Sequence, residues 1–266
     1  MAIGIITGSG TYALPGFEGT PPEPVTTEWG DAAVSRGTLA GVEVLHLSRH
    51  GEGHVRLSNH VTHLANIAAL ARLGATGILA VTVCGAVDPG VELGSLICFD
   101  DLHFAANRLA DGRLCTFHQQ AGHHDRAHWI SEDPYSPALR SALLAGAQEA
   151  GVEVRDGGVY GHVDGPRFNT KAEIRGLAAC GVTAVSQTAG PETVLAGEAE
   201  LPLALIGYAT DYANGVRAEA TPVERLLELI AASTETFARV LAAAVPRIDE
   251  SALAPAGIVY RFHADD

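Results

Sequence analysis

The chain has 266 residues, of which 47% are hydrophobic and 18% charged, a composition typical of globular proteins rather than disordered or repetitive ones. Its 17 basic and 31 acidic side chains give a formal net charge of −14, which disfavours binding to nucleic acid or to anionic membrane surfaces. The N-terminus carries no basic leader, no apolar run approaches the length of a membrane span, and the four cysteines form no CxxC pair. We therefore expect a cytoplasmic protein with reduced thiols and neither nucleic-acid nor membrane partners.

Apolar runs that predict buried strands alternate with segments that predict helices. The strands are expected at residues 3–7, 42–47, 78–83, 96–99, 182–186 and 203–210. One helix is expected from a cap at Ser58 to a stop at Gly74, and another from Pro137 to Ala150. Capping boxes at Thr170/Glu173 and Thr221/Glu224 predict the starts of two more, and a short helix is expected from Pro191. The last of the capping boxes is expected to start a long helix that ends near Val245. The His-rich segment 105–133 is interpreted as a long functional loop.

Continuous apolar strands separated by helices are typical of a mainly parallel sheet that helices cover on both faces. The sequence has no internal repeat and no linker rich in proline or glycine, so we predict one α/β domain over residues 1–266. In such a fold the ligand site lies beyond the carboxyl ends of the strands. The residues that follow predicted strands are Gly8-Ser9-Gly10, Ser48-Arg49-His50-Gly51, Thr82-Val83-Cys84-Gly85, Gln187-Thr188 and Asp211.

The segment from Gly8 to Ala13 matches the G-x-G-x-x-A spacing of dinucleotide-binding proteins. That fold requires a helix directly after the glycines, and Pro15, Pro21, Pro22 and Pro24 prevent one. A nicotinamide cofactor is therefore disfavoured. Two interpretations stay open for this segment: a loop that offers backbone N–H groups and the Ser9 hydroxyl to a phosphate, or a plain tight turn.

Two other strand ends carry groups suited to phosphate binding and to acid catalysis. Arg49 could bind two phosphate oxygens in bidentate fashion with His50 as a further donor, although an arginine paired with a carboxylate is an equal alternative. Asp211 follows an apolar strand, where desolvation should raise the pKa of its carboxyl group and suit it to general acid catalysis. A turn-forming aspartate would give the same pattern.

The remaining chemical signals are weak. His118, His123, His124, His128 and Asp125 lie close together in the sequence, but their spacing lacks a convincing third zinc ligand, and a polar loop beside a pocket is the preferred interpretation. The sequence has no G-x-S-x-G motif and no cysteine in an activating context. We therefore predict no metal site and no covalent mechanism.

Short phrases in a fixed order resemble the trimeric purine nucleoside phosphorylases, and most closely their methylthioadenosine phosphorylase branch. They run from Gly4 to about Val245 and comprise GIITGSG at 4–10, RHG at 49–51, AN at 65–66, CG at 84–85, DGPRF at 164–168, PE at 191–192 and ATDY at 209–212. The resemblance implies a nucleoside phosphorylase-like fold, a homotrimer with its sites at subunit interfaces, and a pentosyltransferase reaction. In that reaction inorganic phosphate, a co-substrate, displaces the purine from C1′ of the nucleoside, and no metal or organic cofactor takes part.

The resemblance also assigns roles position by position. It places phosphate on Ser9, Arg49, His50, Thr82 and Thr188, the purine on Phe168, Asn169 and Asp211, and the ribose on Gln187. It places the 5′ substituent in a pocket formed by Val223, Leu226 and Leu227, with His54 and His128 reaching into the neighbouring subunit's site. Asp211 is the implied catalytic residue, since a proton donated to or shared with N7 would stabilise the departing purine.

Three departures from the family pattern concern the substrate. Gln187 replaces a methionine and could donate to a ribose hydroxyl, and Thr62-His63 replaces an Asn-Tyr pair. Ala213 stands where members that prefer adenine carry a second aspartate, which favours a 6-oxopurine. Asp211 favours a 6-aminopurine, because the members that act on 6-oxopurines usually carry asparagine there.

The leading hypothesis is the phosphorolysis of 5′-methylthioadenosine or a related 5′-deoxy nucleoside to a free purine and a 5-substituted ribose 1-phosphate. Phosphorolysis of a 6-oxopurine nucleoside, such as inosine or methylthioinosine, is the alternative. A nucleosidase that uses water would not need the predicted phosphate site. A non-catalytic nucleoside-binding relative also stays open because of Gln187, Thr62 and His63.

Overall fold

The computed structural model describes residues 2–122 and 126–262. Its strands are β1 (Ala2–Thr7), β2 (Phe17–Gly19), β3 (Glu23–Thr27), β4 (Gly30–Leu39), β5 (Val42–Ser48), β6 (Ala75–Ala86), β7 (Leu96–Cys98), β8 (Asp101–His103), β9 (Ala127–Ile130), β10 (Val154–Asp156), β11 (Val159–His162), β12 (Val182–Ser186), β13 (Leu203–Tyr212) and β14 (Ile258–Arg261). The helices are α1 (His63–Arg72), α2 (Pro137–Glu149), α3 (Lys171–Ala179), α4 (Ala189–Glu198) and α5 (Val223–Ala244). Short 3₁₀ turns lie at Glu52–His54, Ser58–His60, Val245–Arg247 and Glu250–Ala252.

A twelve-stranded mixed sheet forms the centre of the molecule. Its four central strands lie in the order β13-β6-β1-β5, and all run parallel. Antiparallel pairs surround them, since β4 pairs with β5, β7 with β13 and β12 with β6. The predicted α/β fold with a mixed sheet is confirmed, and its central parallel strands are largely apolar and buried.

Helices cover both faces of this sheet, as predicted. Side chains alternate between the two faces of a strand. In β1, Ile3 and Ile5 face a cluster that contains Phe237 of α5 together with α2 residues. Ile6 of the same strand faces the opposite cluster, which contains Ile67 of α1 together with α4 residues.

The proline-rich segment after β1 forms antiparallel strands instead of a helix. Strands β2 and β3 both pair with β4, which then pairs with β5 and joins the sheet. This arrangement confirms the expectation that no crossover helix follows the Gly8–Gly10 loop. A dinucleotide-binding fold is therefore absent from this part of the chain.

One predicted helix start and one predicted helix cap are wrong. The predicted helix at Ser58 begins five residues later, at His63, because Ser58 starts a 3₁₀ turn instead. The predicted capping box at Thr221 is absent: the Thr221 hydroxyl accepts a hydrogen bond from the backbone N–H of Tyr212, and Pro222 precedes the first turn of α5. The Thr221 hydroxyl therefore makes a tertiary hydrogen bond instead of capping α5.

Two other starts agree better with the sequence. The capping box of Thr170 and Glu173 is present at the start of α3. Helix α4 begins at Ala189, so Pro191 lies inside its first turn, where its missing N–H costs no helical hydrogen bond.

The segment 105–133 is less irregular than predicted. Its last part forms β9, which pairs with β14 near the C-terminus in a separate two-stranded sheet. The Trp129 ring of β9 packs so closely on Gly197 of α4 that a side chain there would collide with it. His123, His124 and Asp125 lie outside the described residues. Within 2–122 and 126–262, no group of three or more His, Cys, Asp or Glu side chains is placed to hold a metal ion.

The segment from Val223 to Arg247 is long and apolar enough to cross a membrane, with a mean hydropathy of 1.2. This differs from the expectation that no apolar run approaches that length. In the fold, Phe237 and Leu241 of this helix are buried and pack against α2 and the sheet. The segment therefore behaves as the core helix of a globular protein.

Candidate active site

A pocket of about 290 Å³ lies where the carboxyl ends of the central strands meet. It collects residues from the loop after β1, the loop after β5, the end of β6, the loop between β12 and α4, and the end of β13. The predicted site residues in its lining are Ser9, Arg49, His50, His54, Thr82, Phe168, Asn169, Gln187, Thr188, Asp211 and Leu226. Residues that are far apart in the sequence thus come together as the strand-end argument predicts.

The glycine loop after β1 is held against α5. Gly10 has a φ of +83°, which favours glycine, and a side chain there would lie 2.9 Å from the backbone oxygen of Ile230. The Thr234 hydroxyl donates a 2.8 Å hydrogen bond to the backbone oxygen of Gly10. A side chain at Gly8 would collide with the guanidinium of Arg49. These contacts place the intervening Ser9 in the pocket wall.

Arg49 is fully buried and forms a bidentate ion pair with Glu192 of α4. Its Nε and Nη2 atoms donate to the two carboxylate oxygens at 2.6 and 2.8 Å, and Nη1 donates to the backbone oxygen of Val81 at 2.7 Å. The carboxylate partner weighed as the alternative for Arg49 is thus present, and the binding of phosphate by its remaining N–H groups stays a prediction. Of its five N–H groups, one on each terminal nitrogen is left for an anion in the pocket.

His50 has a fixed tautomer. Its Nδ1 lies 2.8 Å from the backbone oxygen of Arg56, and since a carbonyl only accepts, Nδ1 carries the proton. Burial, followed by the charge of Arg49, lowers the pKa of His50 to about 4. At neutral pH its Nε2 therefore has a free lone pair. It can accept the O–H of a hydrogen phosphate, or donate once it has taken up a proton.

His54 lies in the pocket of its own chain. Its ring stacks on that of His50 at 4.4 Å, and its Nδ1 lies 2.8 Å from the Tyr12 hydroxyl. His54 thus lines the pocket of its own chain, and its predicted reach into a neighbouring subunit's site stays a prediction. Together, Tyr12 and His54 join the glycine loop to the loop that carries His50.

Hydroxyl groups complete this end of the pocket. The Thr82 and Ser186 oxygens are 3.0 Å apart, and Thr82 also donates to the backbone oxygen of Val83. Thr188 is buried, precedes the first turn of α4, and makes no side-chain cap to that helix. The positive end of the α4 dipole therefore faces the pocket at Thr188, which favours an anion.

Asp211 also lines the pocket, and it lies inside β13 at a register shift rather than after the strand. Burial raises the pKa of its carboxyl group, and a 2.9 Å hydrogen bond from the Thr210 hydroxyl partly opposes that rise. Gly85 of β6 lies beside it, and a side chain there would come within 3.2 Å of the carboxylate. Burial therefore makes the carboxyl group hold its proton more readily than an exposed aspartate would, and the group lines the pocket, as a general acid requires.

Phe168 lies at the mouth of the pocket, with 60% of its side chain exposed. Asn169 follows it, and its backbone oxygen accepts a 2.7 Å hydrogen bond from the Nδ2 of Asn214. Both residues lie in the segment between β11 and α3. An aromatic face at an open rim is suited to stacking on a planar ring.

The predicted apolar pocket on α5 is only partly correct. Leu226 lines the pocket and Ile230, one turn further along, lines it too. Val223 and Leu227 are 63% and 59% exposed and lie outside the lining, because a helix turns about 100° per residue. The apolar wall is thus formed by Leu226 and Ile230.

His128 lies away from the pocket of its own chain. It belongs to β9, where its ring packs edge-on against Phe262. The neighbouring Trp129 packs on Gly197 near the end of α4, whereas the pocket meets α4 at Thr188. At 1.5 Å per residue these two ends of α4 are roughly 14 Å apart. A role of His128 in a neighbouring subunit's site stays a prediction.

A neutral histidine lies beside the buried ion pair. His63, which replaces the family's tyrosine, is buried with its Nδ1 4.0 Å from the Glu192 carboxylate and without a hydrogen-bond partner. Burial holds its pKa well below the usual range. His63 is therefore a neutral neighbour of the pair rather than a second cation for phosphate.

Several lining residues were missed by the sequence analysis. Ser58, Ser186 and Ile230 line the pocket without having been assigned to it. Ser186 could have been found, because it is the last residue of a predicted strand. Ser58 could not, because its apparent role as a helix cap hid its position.

Comparisons with known proteins identify the family of this chain. A family model described as the Phosphorylase superfamily matches residues 2–246. The chain is 33% identical over 251 residues to the 6-oxopurine nucleoside phosphorylase of Pyrococcus furiosus, with 92% of each chain covered. It is 34% identical over 215 residues to the S-methyl-5′-thioadenosine phosphorylase of Bradyrhizobium diazoefficiens, which covers 79% of this chain and 70% of the relative. A structure of the methylthioadenosine phosphorylase from Schistosoma mansoni in complex with adenine has a TM-score of 0.82 at 27% identity, covering 92% of this chain and 90% of that one.

The sheet, the pocket at its strand ends and these matches together define the class: the chain belongs to the phosphorylase superfamily. Within it the chain belongs to the purine nucleoside phosphorylases, near their methylthioadenosine branch. It is accordingly an enzyme of the pentosyltransferase type, and the resemblance seen in the sequence is confirmed.

Proposed function

We propose that this enzyme cleaves 5′-methylthioadenosine, or a related 5′-deoxy purine nucleoside, with inorganic phosphate. The products are the free purine and a 5-substituted ribose 1-phosphate. The observation that carries the proposal is that one pocket holds two sets of groups: hydroxyl groups with the α4 N-terminus, and Asp211, whose carboxyl pKa is raised by burial. The first set suits the phosphate nucleophile, and Asp211 suits the departing purine of the same displacement.

Phosphate binds at the Ser9, Thr82 and Thr188 end. Since Glu192 compensates the charge of Arg49, hydroxyl groups, the helix dipole and the spare N–H groups of Arg49 provide the stabilisation. His50 accepts the O–H of hydrogen phosphate at Nε2. Held there, a phosphate oxygen is positioned to attack C1′, which turns a bimolecular encounter into a positioned one.

Cleavage of the glycosidic bond leaves negative charge on the purine. Asp211 donates or shares its proton at N7, while Phe168 and Asn169 contact the ring and its polar edge. The phosphate stabilises the positive charge that develops on the ribose. The proposal requires no metal and no organic cofactor, so enzyme dialysed against a chelator should keep its activity.

The 5′ substituent lies against Leu226 and Ile230. An apolar wall favours a methylthio group over a hydroxyl, which would lose its hydrogen bonds to water there. This wall is the reason to place a 5′-deoxy nucleoside before inosine or adenosine.

A 6-oxopurine nucleoside is the second candidate, and Ala213 favours it. Its side chain is buried in an apolar cluster with Ile174 and Val185, so position 213 offers a 6-amino group no acceptor side chain. A panel of four nucleosides separates the candidates: methylthioadenosine, methylthioinosine, adenosine and inosine, each with phosphate and with released base measured by chromatography. We expect the highest kcat/KM for methylthioadenosine. A preference for both oxo compounds would favour the second candidate, and binding without turnover of any of the four would indicate a non-catalytic relative.

We further propose that the enzyme is a cytoplasmic homotrimer with its sites at subunit interfaces. The exposed apolar side chains of Phe168, Val223 and Leu227 near the mouth of the pocket support the assembly into a trimer. In a trimer, Val223, Leu227 and His128 could still contribute to a neighbouring site. Sedimentation equilibrium tests the assembly: a mass near 27.6 kDa, that of one chain, would contradict it.

A further inference from the structure

Gln187 uses both ends of its side-chain amide within the protein. Its Nε2 lies 3.1 Å from the backbone oxygen of Arg167, and its Oε1 lies 2.9 Å from the Ser58 hydroxyl. A carbonyl oxygen can only accept, so Nε2 must face Arg167, and Ser58 must then donate to Oε1. The orientation of the amide follows from its partners.

These two hydrogen bonds join three segments around the pocket. Ser58 begins the 3₁₀ turn 58–60, Arg167 lies in the segment 164–169, here called the Phe168 loop, and Gln187 follows β12. The approach is close: a side chain at Gly165 of the Phe168 loop would collide with both the Gln187 amide and the Ser58 hydroxyl.

The Phe168 loop has further supports on its other side. The Arg167 guanidinium binds the Glu173 carboxylate, and Glu173 accepts from the backbone N–H of Thr170. The Asn214 amide donates to the backbone oxygen of Asn169. These contacts fix the loop to α3 and to the segment after β13, whereas the Gln187 contact ties it across to the turn at Ser58.

We propose that Gln187 is a positioning residue: it fastens the Phe168 loop to the Ser58 turn before the nucleoside binds. The inference rests on the proposed function, and it replaces the prediction that Gln187 mainly binds ribose. A methionine, which the resemblance leads one to expect here, has no N–H to donate and only a weak acceptor. With methionine, the Phe168 loop would keep its contacts to α3 and Asn214 but lose its tie to the Ser58 turn, so the nucleoside would have to order that side of the loop at the cost of binding affinity.

The first test needs no substrate. Hydrogen exchange of backbone amides 167–170 is measured in the ligand-free protein, in its Gln187→Met and Ser58→Ala variants, and in an Asn59→Ala control. Asn59 is an exposed neighbour in the same 3₁₀ turn, so its removal should leave exchange unchanged. We expect exchange in the Phe168 loop to rise at least tenfold in Gln187→Met and by a smaller factor in Ser58→Ala. Unchanged exchange in both would overturn the proposal.

The second test is kinetic. Gln187→Met should raise the KM for the nucleoside about tenfold, with kcat and the KM for phosphate changed less than twofold. Adding Ser58→Ala to Gln187→Met should cause little further loss, because the two residues act through one contact. Equal rises in both KM values would contradict a positioning role. If exchange rises but no nucleoside is cleaved, the proposed function fails while the role of Gln187 in ordering the loop stands.

Discussion

Arg49 and Glu192 are 143 positions apart in the sequence and form a bidentate ion pair in which both side chains are almost wholly excluded from solvent. The pair ties the loop after β5 to the first turn of α4, and these are the two elements that bring His50 and Thr188 to the pocket. Arg49 therefore has two functions: it supports the proposed phosphate site, and it neutralises a carboxylate that could not stay charged alone in that environment.

This relationship predicts that Arg49→Ala damages the fold as well as phosphate binding. Removing one partner of a buried ion pair leaves the other charge uncompensated, which costs about 3–5 kcal/mol. Unfolding in urea at neutral pH measures the loss. The double variant Arg49→Met/Glu192→Gln should lose less than Arg49→Ala because no buried charge is left. A free energy of unfolding for Arg49→Ala within about 1 kcal/mol of the wild type would show that Glu192 is stabilised by something else.

Asp211→Asn should lower kcat for methylthioadenosine by a factor of about 10² to 10⁴, since an amide can donate a hydrogen bond to N7 but cannot transfer a proton. The exposed carboxylate variant Glu219→Gln is the matched control and should retain wild-type turnover. Because burial raises the pKa of Asp211, wild-type activity should be highest where the carboxyl group is protonated and should fall as pH rises through that pKa. Asp211→Asn should lack this fall. A variant with near-normal kcat would remove Asp211 from the catalytic step.

Acid should destabilise the enzyme below about pH 6.5. Burial lowers the pKa values of His46 and His50 to about 4, and that of His63 well below its usual range. Between pH 6.5 and pH 4 the unfolded chain therefore binds protons that the folded chain does not, so stability falls as pH falls. Lowering the pH from 7.5 to 5.5 should cost about 1.4 kcal/mol for each such histidine, measured by urea unfolding.

A histidine variant tests the origin of that acid sensitivity. His46→Gln should reduce the loss of stability on going from pH 7.5 to 5.5, whereas His60→Gln, at an exposed position, should leave it unchanged. An identical pH dependence in the wild type and His46→Gln would assign the effect to other groups.

Leu226 should set the preference for the 5′ substituent. Leu226→Ala removes part of the apolar wall and should reduce the ratio of kcat/KM for methylthioadenosine to that for adenosine by about tenfold, the effect of 1–3 kcal/mol in an apolar pocket. Leu227→Ala is the matched control, since Leu227 is exposed beside it. Equal effects of the two variants would show that Leu227 contacts substrate, as a site completed by a neighbouring subunit would require.

Much of the fold follows from local patterns in the sequence. Strands such as β1 and β6 are largely apolar and buried, and Thr170 with Glu173 caps α3 as the sequence predicts. The strand pairing of β9 with β14 could not be predicted, because its two members are more than a hundred residues apart and lack a shared pattern. The capping box predicted for α5 is absent because the Thr221 hydroxyl accepts a hydrogen bond from the distant backbone N–H of Tyr212.

For the site, the sequence predicted which residues lie beside the pocket better than it predicted which side chains contact one another. It located Arg49 and Gln187 at strand ends beside the pocket, since strand ends can be predicted from apolar runs. It could not find their partners, because Glu192 and Ser58 approach them only through the folding of the sheet and of the loops around it. The chemistry of both side chains depends on those partners.

The consumption of phosphate tests the central claim most directly. Phosphorus NMR during the cleavage of methylthioadenosine measures the loss of inorganic phosphate and the gain of sugar phosphate, while chromatography measures the base released. We predict one phosphate consumed for each adenine released, a ribose 1-phosphate product, and no release when phosphate is omitted. Base release at the same rate without phosphate, with free sugar as the product, would contradict the account.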